Sequence, residues 1–137
     1  MQKLPKFMKA IALESATENF KLVEVERPIP QPSDSELLVK VEYVGLNPVD
    51  AKLAKKGFPE WQYTHILGLD AVGTVVKAPV GASPGVGERV MWHADISGQG
   101  VLSEYTTIAN FAVTPVPDDI TPQDAATLPC AGLTAIF

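Results

Sequence analysis

The run Glu36 to Leu46 constrains the fold more than any other stretch of the chain. Val39, Val41 and Tyr43 alternate with Lys40 and Glu42, the period of a strand with one buried and one wet face. The strand leads directly into Asn47-Pro48-Val49-Asp50. Pro48 has no backbone N–H to donate and holds Asn47 in extended geometry, so the chain must turn here. Asn47 and Asp50 are residues that build local turns, and their side chains either satisfy the backbone or face a cleft. A second stretch, Leu67-Gly68-Leu69-Asp70-Ala71-Val72-Gly73, sets another carboxylate beside apolar, β-prone sequence. Its glycines mark places where the backbone bends or is closely approached.

Around these two stretches the chain reads as a series of short strands. Met8 to Leu13 and Phe20 to Glu26 form a predicted hairpin, and Pro28, Pro30 and Pro32 follow as a stiff connector. Val49 to Lys56 has room for a short helix ended by Gly57. Ile66 to Lys77 reads as one apolar strand and Pro79 to Gly87 as a loop. Glu88 to His93, Val101 to Ile108 and Phe111 to Val116 supply three further strands. Many short strands with turn signals between them predict a small β-barrel or sandwich. Thr121-Pro122-Gln123-Asp124 is a helix start: a hydroxyl N-cap, proline at the first helical position and a carboxylate in the first turn.

With 137 residues the chain has enough length for one self-sustaining core. A net charge of −5, with no basic run longer than Lys55-Lys56, speaks against a nucleic-acid footprint. One cysteine, Cys130, excludes an intrachain disulfide framework and any multi-cysteine zinc site. Nothing reaches the roughly 18 consecutive apolar residues of a membrane span. Met1 to Phe7 lacks the apolar core of a signal peptide. The expectation is a cytoplasmic protein.

Six motifs then fall in a recognisable order: Met8-Lys9-Ala10-Ile11, Gly45-Leu46-Asn47-Pro48-Val49-Asp50, Gly68-Leu69-Asp70-Ala71-Val72-Gly73, Gly87-Glu88-Arg89-Val90, Ser103-Glu104-Tyr105, and Ala125 through Ala135. Together they resemble the N-terminal GroES-like domain of the medium-chain dehydrogenase/reductase superfamily, nearest its zinc-free quinone oxidoreductase branch, to which zeta-crystallin belongs. The resemblance implies a mainly β fold with short helices, a GroES-like, partly open β-barrel. It also implies an N-terminal extension over residues 1–7, the catalytic domain over 8–120, and the start of a connecting helix over 121–137. A Rossmann domain is expected beyond that helix. No glycine-rich dinucleotide-binding turn occurs within the chain.

The positions matching the catalytic zinc ligands of the superfamily's alcohol dehydrogenases are Asn47, Leu69 and Cys130. One thiolate does not make a tetrahedral site, so no zinc is expected. The resemblance sets Asn47 and Pro48 beside the nicotinamide of NADPH or NADH and brings Thr134 against its ring. Most of the cofactor would be held by the absent domain. Asp50 and Asp70 are expected to support the Asn47 loop from behind. His93, an imidazole expected near the cleft, is a candidate proton donor. Phe58 stands near a place where some enoyl-reductase relatives carry a tyrosine, with Tyr63 close by.

The expected function is reduction of quinones, enones or related α,β-unsaturated carbonyls by hydride transfer. The expected partners are the small-molecule acceptor and, for the full-length protein, a second copy or more. The other reading is a free-standing binding or assembly module without chemistry.

Overall fold

The structure is a computed structural model that describes residues 4–129. Among the described residues, eight strands make two open sheets. β1 (Phe7–Leu13), β2 (Leu22–Pro28) and β4 (His65–Ile66) form the smaller, in the order β2-β1-β4. β3 (Glu36–Gly45), β5 (Asp70–Lys77), β6 (Arg89–His93), β7 (Tyr105–Ala109) and β8 (Thr114–Pro115) form the larger, in the order β7-β3-β5-β6-β8. The neighbouring strands all pair antiparallel. Among the described residues the named α-helices are short, α1 (Pro48–Lys56) and α2 (Pro122–Ala125). No helix among the described residues is long and apolar enough to cross a membrane.

β3 forms as expected, between β7 and β5, but its burial departs from simple alternation. Leu37 and Val39 join the main core with Val75, Val90 and Trp92, while Leu38 joins a second core with Met8, Ile29 and Tyr105. Both faces of its first half are therefore covered. Register shifts between Leu38 and Val39 and between Val41 and Tyr43 then leave Tyr43 exposed, as bulges do when they re-aim a strand.

The expected single strand from Ile66 to Lys77 is two. Gly68 takes φ +99°, a left-handed conformation that breaks the ladder. β4 consequently pairs with β1 in the small sheet, and β5 begins at Asp70 in the large one. The segment 100–104 stitches the two sheets together. Toward the small sheet, Gly100 N–H donates to the Ile66 carbonyl and Ile11 N–H donates to the Leu102 carbonyl; toward the large one, Val41 N–H of β3 donates to the Glu104 carbonyl. That stitching takes Val101 to Glu104 out of the expected strand, so β7 starts only at Tyr105. The Phe111 region likewise forms a 3-10 turn over Asn110–Ala112 before the two-residue β8. The helix start at Thr121 is as read: its hydroxyl accepts from Asp124 N–H at 3.2 Å, with Pro122 at the first turn.

Candidate active site

The site is assembled where β3 ends, α1 begins and β5 and β6 lie edge to edge. Asn47 is the N-cap of α1, with extended dihedrals (φ −124°, ψ 162°) and Pro48 following it. The Asp50 carboxylate reaches back to accept from Asn47 N–H at 2.8 Å, the acidic arm of a capping box. The Asn47 side-chain amide is turned the other way. Its Nδ2 donates to Asp70 Oδ2 at 2.9 Å. Two carboxylates from different elements thus fix one amide, one through its backbone and one through its side chain.

Asp70 is the pivot of the site. It opens β5, is 0% exposed, and faces His93 directly across the β5–β6 ladder. His93 Nδ1 lies 2.6 Å from Asp70 Oδ1. A carboxylate only accepts, so the imidazole donates from Nδ1. The ring is far less enclosed than its partner, with 40% of the side chain exposed. Asp50 is also buried. Desolvation is the main cause that raises its carboxyl above the usual range; the bond from Asn47 opposes this, the nearby Asp70 charge adds to it, and His93 acts against it.

Close packing brings the α2 segment against the same face. A Cβ on Gly45 would lie 2.3 Å from the Ala126 carbonyl oxygen, so only glycine lets that segment approach the end of β3. Val72, Ala125 and Ala126 form a small core there with Met91 and Ile120 alongside. On the open side Leu46 is exposed and Pro48 lies at the surface next to Asn47. His93 also borders an open cleft of about 1030 Å³, whose walls include Met8, Trp92, Tyr105, Ile108 and Phe111.

Four of the residues singled out from sequence, Asn47, Asp50, Asp70 and His93, therefore meet, with Pro48 beside them. Thr134 and Cys130 lie outside the described residues. Leu69 is buried in the main core rather than at the site. Among the described residues no group of three or more His, Cys, Asp or Glu side chains is placed to hold a metal ion. Tyr63 is remote: a Cβ on Gly57 would sit 2.7 Å from its hydroxyl. That places it at the far end of α1 from Asn47, about 13 Å along a nine-residue helix. Phe58 packs 6.3 Å from Trp61, also away from the site. Sequence reasoning did not reveal that Asp70 serves Asn47 and His93 at once, because no local signal sets the β5–β6 register.

The architecture, two open antiparallel sheets with a capped helix at the end of β3, is that of a GroES-like domain. The alcohol dehydrogenase GroES-like domain family matches residues 33–118, and the chain belongs to that family, within the medium-chain dehydrogenase/reductase superfamily. It is 35% identical over 134 residues to a zinc-type alcohol dehydrogenase-like protein of Staphylococcus epidermidis, covering 93% of this chain and 39% of that one. It is 35% identical over 119 residues to the trans-enoyl reductase tndF of Aspergillus flavipes, covering 80% of this chain and 34% of that one. A crystal structure of a putative NADPH:quinone reductase from Mesorhizobium loti superposes with a TM-score of 0.82 at 26% identity, over 98% of this chain and 44% of that one. The chain thus spans under half the length of these relatives.

Proposed function

We propose that the protein carrying this chain reduces quinones, enones or related α,β-unsaturated carbonyls by hydride transfer from NADPH or NADH, without catalytic zinc, and that this domain forms one wall of the active site. The observation that carries the reading is the treatment of Asn47. Asp50 holds the Asn47 backbone and Asp70 its neutral side-chain amide, at the position where the zinc branch of the superfamily is expected to place a metal-binding thiolate. The relatives named above, one a trans-enoyl reductase and one a putative NADPH:quinone reductase, support the same class of acceptor.

A bound reduced nicotinamide supplies the hydride. Asn47 and Pro48 meet the nicotinamide side of the cleft, and the Asn47 amide orients ring or acceptor through hydrogen bonds. Asp70 fixes that amide in advance and Asp50 fixes the backbone that carries it, so little reorganisation is needed as negative charge develops on the acceptor oxygen. The acceptor approaches from the His93 side. The full-length protein acts as a homodimer or larger assembly and works in the cytoplasm.

The test is oxidation of NADPH by the complete protein against a panel of quinones and enones, with and without a strong chelator. The expected result is turnover that ignores the chelator and falls roughly tenfold or more in kcat/KM on Asn47→Ala, the loss of one or two oriented hydrogen bonds. Absence of turnover across the panel, or its abolition by the chelator, overturns the reading.

A further inference from the structure

We infer that His93 is the general acid that completes the reduction, and that Asp70 is the residue that positions both His93 and Asn47 for it; this rests on the reductase reading above. Asp70 and His93 are paired residues of β5 and β6, so their side chains leave the same face of the sheet side by side. Asp70 is sealed from solvent, and water does not compete for its oxygens. Oδ1 takes the His93 Nδ1–H at 2.6 Å, and Oδ2 takes the Asn47 amide at 2.9 Å.

That arrangement decides which ring nitrogen is available. With Nδ1–H committed to Asp70, Nε2 is the atom left to meet a ligand. It is a donor when the ring is protonated and an acceptor when it is neutral. The half-exposed ring borders the large open cleft, while Asn47 stands on the other oxygen of the same carboxylate. Asn47 is not among the residues lining that cleft, so the acceptor's carbonyl oxygen is assigned to the His93 end of it, within reach of Nε2. Tyr63, a second side chain able to donate a proton, lies at the wrong end of α1.

Hydride from the reduced nicotinamide, which is thereby oxidised, reaches the electrophilic carbon of the acceptor. The displaced electron pair moves to the acceptor's carbonyl oxygen. The His93 Nε2–H bond breaks and an O–H bond forms at that oxygen. The neutral imidazole, still donating from Nδ1 to Asp70, regains its proton from solvent. Asp70 changes no bond; its task is to hold the tautomer and the amide.

The test joins a spectroscopic reading to kinetics, both on the complete protein. Imidazole ¹⁵N spectra without cofactor, with His93→Gln used to assign the signal, are expected to show the neutral ring protonated at Nδ1. Asp70→Asn offers a single acceptor oxygen to two donors, so it must release one of them. The expected result is a shift of His93 toward the Nε2–H tautomer. His93→Gln is expected to lower kcat about 100-fold while leaving the Kd for NADPH, read by fluorescence titration, within about twofold. The double variant is expected to lose little more than either single one. His93 lies at the rim, so its variant carries the kinetic test even if the Asp70 variant does not fold. A neutral wild-type ring whose single proton sits on Nε2 instead of Nδ1, or a kcat within twofold of wild type in His93→Gln, overturns the inference. A wild-type protein that turns over no carbonyl acceptor overturns the reductase reading and removes the proton-donor role with it. The tautomer measurement then still decides whether Asp70 positions His93.

Discussion

The chain's two histidines occupy opposite circumstances. His93 stands at the rim of the site, 40% exposed, with its Nδ1 on a buried carboxylate. His65 lies in β4 at 2% exposure, stacked on Trp61 with ring centroids 3.9 Å apart and planes 13° from parallel. Its Nδ1 has no hydrogen-bond partner. The same side chain therefore serves as a wired polar group in one place and as a flat core residue in the other. What separates them is the neighbour each one meets: Asp70 across a ladder, or an indole face. An imidazole earns a chemical assignment from its partner and its access to ligand, and His65 has neither.

The sharpest way to test this contrast is with acid. Burial pushes the His65 imidazole down from its ordinary value of 6.5 to about 4. Between those two values the unfolded chain binds a proton that the folded one refuses. Stability is therefore complete above pH 6.5 and falls as pH drops toward 4. A difference of that size corresponds to about 3 kcal/mol when the titration is finished. His65→Phe keeps a flat ring against Trp61 and removes the titration. It is expected to flatten the dependence of unfolding free energy on pH over that window, measured by urea denaturation at a series of pH values. An unchanged acid limb in the variant would show that His65 is not the group responsible.

A smaller effect is expected from the other ring of the stack. Trp61 Nε1–H donates to the Ile96 carbonyl at 2.8 Å, and the indole closes one side of a void of about 10 Å³ bordered by His65, Asp50 and Gly100. That volume is about what one water needs. Trp61→Phe loses the hydrogen bond and part of the stacking surface and enlarges the void. About 1–2 kcal/mol of stability is expected to go with it, with no change in the kinetics of the complete protein. Loss of activity beyond the loss of folded protein would mean that the His65 region communicates with the site after all.

The same contrast explains what the sequence disclosed. Asn47, Pro48 and Asp50 are legible because their interactions are local: an N-cap and its third residue speak to each other within one turn. The family motifs, read in order, likewise indicated a GroES-like barrel. The link from Asp70 to Asn47 and to His93 spans 23 residues in each direction. It depends on β5 starting at Asp70, which depends in turn on Gly68 breaking what looked like one strand. A one-residue slip in that register would carry His93 to the other face, and neither stretch alone specifies it. The stitching segment around Ser103 was misread for a similar reason: its backbone hydrogen bonds go to two sheets, and apolar patterning cannot distinguish that from a strand.

The smallest expected effect on stability concerns the second carboxylate, and its sign runs opposite to that of His65. Desolvation raises the Asp50 carboxyl above the usual range, so the folded chain holds a proton that the unfolded one has already lost. Across the interval from the ordinary carboxylate value upward, stability therefore falls as pH rises. Asp50→Asn removes that slope. Its side-chain oxygen can still accept from Asn47 N–H, but without the charge that strengthens the bond. Because the fold disfavours the ionised form, the variant is expected to unfold at no lower temperature than wild type at pH 7, while kcat/KM falls a few-fold as the Asn47 loop is held less firmly. Calorimetry across pH, set beside NADPH turnover, separates the two effects. A marked loss of stability at pH 7 would show that the charge on Asp50 supports the helix start; equal activity would show that Asp70 alone suffices to hold Asn47.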